Sequence, residues 1–328
     1  MLVTIVLAIA VGSSPIPVYD VMTSLLSKIP GLENLFSFTH PSDWARTQSI
    51  IFGIRLPIVL LGALVGASLA VSGTCMQGLF RNPMADPFVI GISAGAALGA
   101  VIALALERVY TINATYVAPF FAFAGALGAV LLVYGISRVG GSVPVETLLL
   151  AGVAVAAFLS AVTSVVVYAY SGEVIRVFFW MAGSLGAAKW IDVMTVLPIC
   201  VIGTILLFFF SRDLNGVVLG EETAQTLGID VETTKKIILV ISSLITASAV
   251  ATSGTIGFVG LITPHIMRHF VGPDHRILIP SSAVAGGIFL IWCDAIARTI
   301  IEVPVAMITA LFGAPFFIYL LLRRKRSM

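Results

Sequence analysis

The chain has 328 residues, 59% of them hydrophobic and 10% charged, with 18 Lys and Arg against 16 Asp and Glu and a formal charge of +2. A soluble domain carries roughly 25% charged residues, so the composition excludes a water-soluble fold, and the small net charge gives no footing to a nucleic-acid partner. Cys75, Cys200 and Cys293 lie in apolar runs without CxxC spacing, which indicates neither a disulfide framework nor a thiolate metal site.

Apolar runs between charged or Pro/Gly breaks predict an all-α membrane protein with about ten spans in one transmembrane domain over residues 1–328. The spans fall near 1–14, 57–78, 88–106, 116–136, 146–168, 191–210, 236–254, 256–271, 279–299 and 305–322. Met1 to Gly12 supplies only about 18 Å of helix and lacks the positively charged segment of a signal peptide. A short tilted first helix, or a start codon placed late, is the expectation. Residues 15–50 carry four prolines and mixed charge, and read as an external loop with an interfacial helix.

Between the second and third spans stands Arg81-Asn82-Pro83-Met84-Ala85-Asp86-Pro87. Two prolines forbid a continuous helix, and Arg81 or Asp86 would each cost about 2.5–3.5 kcal/mol at a bilayer centre. The segment is therefore either an ordinary interfacial turn or a constriction at the mouth of a pathway. The loop after the fourth predicted span, Gly140 to Val145, is uncharged and flexible in composition.

Residues 213–235 form the longest polar interruption of the second half. Two short amphipathic helices fit, with Leu214, Val217, Val218, Leu219, Ala224 and Leu227 apolar, Glu221 and Glu222 in a first turn, and Gly228 as a C-cap. A solvated connector on the membrane surface is the plain alternative. Further on, His265 and His269 have a chelating i, i+4 spacing with His275 nearby, but no third ligand is evident and no metal site is expected. Asp294 and Arg298 have the spacing of a helical ion pair. Trp180 and Trp190 read as interfacial anchors.

Ser72-Gly73-Thr74 recurs as Ser253-Gly254-Thr255, with Pro83 and Pro264 at one offset. Either an inverted repeat or chance among small membrane residues accounts for this echo. Ten spans put both termini on one side. The side holding Arg81, Arg138, Arg212, Lys235, Lys236, Arg268, Arg276 and Arg323-Arg324-Lys325-Arg326 is the more basic and is expected to be cytoplasmic. Lys28, Arg46, Arg55, Arg108, Arg176, Lys189 and Arg298 fall opposite.

No GxxxxGK[ST] occurs, so energy for any transport comes from a partner ATPase or an ion gradient. An ion-coupled carrier usually places carboxylates in mid-span. Here Asp294 is the nearest approach to one. An intramembrane enzyme is disfavoured, because the spans hold no cluster of His, carboxylate and Ser nucleophile.

The stretch GASLAVSGTCMQGLFRNPMADPFVIGISAGAA (66–97) resembles the permease subunits of ATP-binding-cassette importers for iron-siderophores, haem and vitamin B12, the type II iron-siderophore and cobalamin permease family. The likeness continues in order through Arg55-Leu56-Pro57, LLLAGVAV (148–155), Trp180 to Ser184, LNGVVLGEETAQTLGID (214–230), GTIGFVGLITPHIMRHFVGPDHRILIP (254–280), Asp294 with Arg298, Glu302-Val303-Pro304 and Gly313 to Phe317.

The resemblance implies a homodimer in the cytoplasmic (inner) membrane, two ATPase subunits that hold ATP and magnesium, an external or periplasmic substrate-binding protein, and no cofactor or bond chemistry on this chain. It implies import of a metal chelate or corrinoid by alternating access. An oxyanion such as molybdate is the alternative cargo, and an ion-coupled secondary transporter the rival class. By the same resemblance 213–235 is the coupling segment, through Leu214, Asn215, Leu219, Gly220, Glu221, Ala224, Leu227 and Gly228. Asn82, Pro83, Met84, Ser142 and Val143 would gate the cytoplasmic mouth. Arg55 and Arg298 would meet the binding protein, helped by Lys189, because Ile58 stands where many relatives carry a second basic residue.

Overall fold

The computed structural model describes residues 1–12, 14–28, 44–110, 114–138, 140, 143–169, 174–301 and 303–326. Among them all regular structure is helical. In chain order the helices are α1 (Leu2–Ala10), α2 (Val18–Leu26), α3 (Trp44–Ile50), α4 (Leu56–Leu79), α5 (Ile92–Tyr110), α6 (Ala114–Ser137), α7 (Val145–Ala169) and α8 (Val174–Met181). Then come α9 (Trp190–Phe209), α10 (Ser211–Val218), α11 (Glu221–Thr226), α12 (Val231–Ser253), α13 (Val259–Val271), α14 (His275–Ile296) and α15 (Val305–Arg326). Two π-helical turns, Ile51–Arg55 and Ala297–Ile301, join α3 to α4 and extend α14, and a 3₁₀ turn, Pro87–Ile90, precedes α5.

Each of the ten predicted spans meets a helix. Seven helices among the described residues are long and apolar enough to cross a membrane. The other three predicted spans are shorter: α1 has 9 residues and α13 has 13, while the apolar part of α15 runs Val305–Tyr319. Of residues 15–50, expected as a loop with one helix, α2 is helical and α3 runs on through the π turn into α4 as one 36-residue helix, Trp44–Leu79, while residues 29–43 lie outside those described.

Helix α4 is apolar on every side, the pattern of a helix surrounded by protein. All its residues except Leu56, Leu60, Leu64 and Ala67 are buried. Around it stand α1, α9, α10, α12, α13 and α14. Small residues set how closely these approach. A Cβ on Gly66 of α4 would lie 2.2 Å from the Gly286 carbonyl oxygen of α14, and one on Gly286 would lie 2.4 Å from the Gly66 oxygen. The same reciprocal contact joins α5 and α6, at 2.3 Å for Gly95 and 2.2 Å for Gly125. Helix α12 packs against both α4 and α6, and so lies between the two glycine-locked pairs.

The sequence echo falls on unlike places. Ser72-Gly73-Thr74 is inside α4, whereas Ser253 ends α12 and Gly254 and Thr255 begin the break before α13; Pro83 sits in a turn and Pro264 inside α13. In that break Phe258 takes a left-handed backbone with φ 69°, its ring against Gly313 of α15. Pro264 has no N–H to give the Gly260 carbonyl four residues back. The buried Gln77 amide of α4 takes that place, reaching Gly260 O at 3.4 Å and Leu261 O at 3.2 Å.

Candidate functional site

The polar segments collect at one end of the bundle. There α4 closes in a Schellman motif, with Arg81 N–H donating to Gly78 O and Asn82 N–H to Gln77 O, both at 3.1 Å. The residue that must go left-handed is Arg81, φ 48°. Asn82 then folds the turn on itself, its Oδ1 accepting from Met84 N–H at 3.0 Å. Asp86 caps the 3₁₀ turn by accepting from Phe88 N–H at 2.8 Å. Burial pushes the Asp86 carboxyl up to about 6, against the pull of that hydrogen bond. Arg81, Asn82 and Pro83 are exposed.

Beside this turn, Val143 lines a crevice with Phe80, Tyr134, Leu148 and Leu239. Phe80, which precedes the turn, and Val143 thus line one crevice. Ser142 lies outside the described residues. The Val143 N–H donates to Glu232 Oε2 of α12 at 3.2 Å, and Thr147 Oγ ties α7 back to Ser137 O of α6 at 3.1 Å.

Helices α10 and α11 form a hairpin with a small core of Val217, Ala224, Ile229 and Val231. Gly228 closes α11 in the left-handed region, φ 80°, and Ile229 N–H returns to Ala224 O at 3.0 Å. Of the residues expected to act in coupling, Leu214, 1% exposed, packs into the main bundle core beside Gly78 of α4, while Ala224, 0% exposed, lies in the hairpin's own core. Leu219 and Leu227 turn outward, 70% and 63% exposed.

Two links fasten the hairpin to the bundle. Asn215 donates to the α14 cap Asp274 at 2.7 Å and accepts from His275 N–H at 3.0 Å. Its Oδ1 also lies 2.7 Å from His275 Nδ1, which fixes the proton on that nitrogen. Hydrogen bonds from the Arg276 N–H and the Asn215 amide hold the Asp274 carboxyl below its usual range. The second link is Lys235 of α12, whose Nζ is 2.7 Å from Glu221 Oε1 and 3.2 Å from Glu232 Oε1. Nearby, Arg268 of α13 donates to Gln77 Oε1 at 3.0 Å.

At the opposite end lies Arg55, expected from the resemblance to meet the binding protein. Arg55 is 5% exposed, and its guanidinium donates to Ile9 O at 2.6 Å, Ala10 O at 3.2 Å and Ser14 O. It satisfies the last carbonyls of α1, where a cation meets the negative end of the helix. In this conformation it has no face for a partner. Arg298, in the second π turn, pairs with Asp294 at 2.7 Å and keeps 19% of its side chain exposed. Trp190 donates to Phe52 O at 2.8 Å. That carbonyl is orphaned because the π turn gives Leu56 N–H to Ile51 O and Pro57 has no N–H. His265 and His269 lie against the rings of Phe316 and Phe270, with centroids 5.9 and 6.0 Å apart.

Sequence reasoning missed Gln77, Glu232 and Asp274, and read Lys235 only as a topological charge. Gln77 had one signal: a lone amide inside an otherwise apolar or small-residue span. The partners of Glu232 and Lys235 lie 89 and 14 residues away in sequence, Val143 and Glu221, and no helical or strand period links them.

The model of the FecCD transport family matches residues 1–323. Among curated proteins, the chain is 47% identical over 323 residues to the cobalamin import system permease protein BtuC of Halobacterium salinarum, covering 97% of this chain and 86% of that one. It is 40% identical to the Fe(3+)-citrate import system permease protein YfmD of Bacillus subtilis, over 94% of this chain and 90% of that one. A solved metal-chelate type ABC transporter in an inward-facing conformation superposes with TM-score 0.81 at 27% identity, over 98% of this chain and 95% of that one. The chain therefore belongs to the FecCD transport family, as a multi-pass permease of the cytoplasmic membrane in ATP-binding-cassette importers for iron chelates, haem or vitamin B12, with ATP hydrolysis on a separate subunit.

Proposed function

We propose that this permease works as a homodimer, with both termini cytoplasmic, and passes a corrinoid inward by alternating access. The α10–α11 hairpin seats in the ATPase through Leu219 and Leu227, while Asn215 and Lys235 carry its displacement into α14 and α12. Asn82, Pro83, Met84 and Val143 border the cytoplasmic mouth, and Ser142 belongs with them by sequence. Arg298 and Lys189 are left to meet the acidic face of a binding protein.

The observation that carries the coupling role is a compact hairpin that exposes two leucines yet is fastened to two long helices through the buried His275 and Lys235. The corrinoid rests on 47% identity to a cobalamin permease. A ferric chelate is the second reading, supported by 40% identity to a ferric citrate permease.

Proteoliposomes with the ATPase and the binding protein test both. ATP-dependent uptake of cyanocobalamin, and not of ferric citrate, is expected. Uptake that follows an ion gradient without the ATPase overturns the importer mechanism. For the mouth, cysteines placed at Asn82 are expected to cross-link between subunits to an extent that changes with nucleotide.

A further inference from the structure

We infer that Lys235 is a positioning residue that makes the grip of α12 on Val143 depend on where α11 sits. The inference rests on the coupling role proposed above and adds to it a route from the hairpin to the mouth.

The route is a chain of four groups. Glu221 at the start of α11 meets Lys235 at 2.7 Å; Lys235 meets Glu232 Oε1 at 3.2 Å; Glu232 Oε2 accepts the Val143 N–H at 3.2 Å. The side chain of Lys235 is 9% exposed, against 37% for Glu221 and 42% for Glu232. The ammonium is thus the most enclosed member, and an enclosed charge is held only while its partners stay.

Glu232 has two oxygens and two claimants. While Glu221 shares the ammonium, one oxygen of Glu232 is left for Val143. When α11 moves away, Lys235 has Glu232 alone, and the ammonium competes with the Val143 N–H for both oxygens. A charged donor is stronger than a neutral one, so the backbone contact yields. The crevice that Val143 shares with Phe80, Tyr134, Leu148 and Leu239 is lined by Glu232 and Lys235 as well, so the released segment and the ion pair face one space. Because Phe80 immediately precedes the 81–87 turn, both borders of the mouth are within reach of one ion pair.

The test uses the full complex in proteoliposomes. Spin labels at Glu146 and Val240, exposed on α7 and α12, report their separation with and without a nucleotide analogue. The wild type is expected to show a nucleotide-dependent change. In Lys235→Met and in Glu232→Leu the ATPase still co-purifies and hydrolyses ATP, the change in separation is lost, and cyanocobalamin moved per ATP falls about five-fold or more. Lys235→Arg restores both readouts. If Lys235→Met folds poorly, Glu232→Leu alone carries the test, since it removes the Val143 contact and leaves the residues of α11 in place.

A nucleotide-dependent change that survives Lys235→Met or Glu232→Leu overturns the inference. So does a wild type in which the separation does not respond. Failure of the wild-type ATPase to co-purify tells against the hairpin as coupling element instead, and wild-type co-purification without cyanocobalamin uptake tells against the cargo.

Discussion

Arg81 occupies the one position of its turn where a side chain is a burden. A left-handed residue other than glycine costs about 1–2 kcal/mol, and Arg81 at φ 48° makes no use of its charge to close the Schellman motif. Arg81→Gly is expected to raise stability by about 1 kcal/mol, read as a higher melting temperature in detergent. Gln77 is the opposite case. Gln77→Leu strands the Gly260 carbonyl and one partner of Arg268, and thermal or denaturant unfolding should show a loss of about 1–3 kcal/mol. Asp86 gives a pH signature. Its folded carboxyl titrates near 6 against an ordinary 3.8, so between those values the folded state keeps a proton that the unfolded state has released. Stability therefore falls as pH rises through that window. Asp86→Asn keeps an acceptor for Phe88 N–H and removes the proton, and melting curves from pH 4 to 7 should lose that slope.

At the scale of elements, legibility followed physical range. The long apolar helices were readable because each run of hydrophobic residues states its own length. The α10–α11 hairpin was readable too, since Gly228 and the acidic first turn of α11 are local signals. Which leucines face out was not, because Leu214 and Leu219 differ only in what the rest of the fold places beside them. Leu219→Asp with Leu227→Asp should leave the melting temperature of the isolated permease unchanged and abolish co-purification of the ATPase. The burial of Arg55 was not legible for a similar reason. A basic residue at a span end looks like a surface charge until the short α1, roughly 14 Å at 1.5 Å per residue, is found to end against it. Arg55→Met is expected to free α1, seen as faster hydrogen exchange at residues 11–16.

At the scale of the molecule, the reciprocal glycine contacts divide what can move from what cannot. Helices α4 and α14 touch backbone to backbone at Gly66 and Gly286, and α5 and α6 do so at Gly95 and Gly125. Proteins deform least where main chains are already in contact, since sliding has no side-chain slack to consume. Each pair is then a stiff plank, and α12 is the joint between the planks. The covalent strap between them is the twelve-residue segment from Phe80 to Gly91. A segment that enters as a candidate constriction is also the shortest covalent link between the two planks, and it is itself held by main-chain contact of Val89 with Gly152 of α7. Its two prolines keep that strap from stiffening into a helix that would weld the planks together.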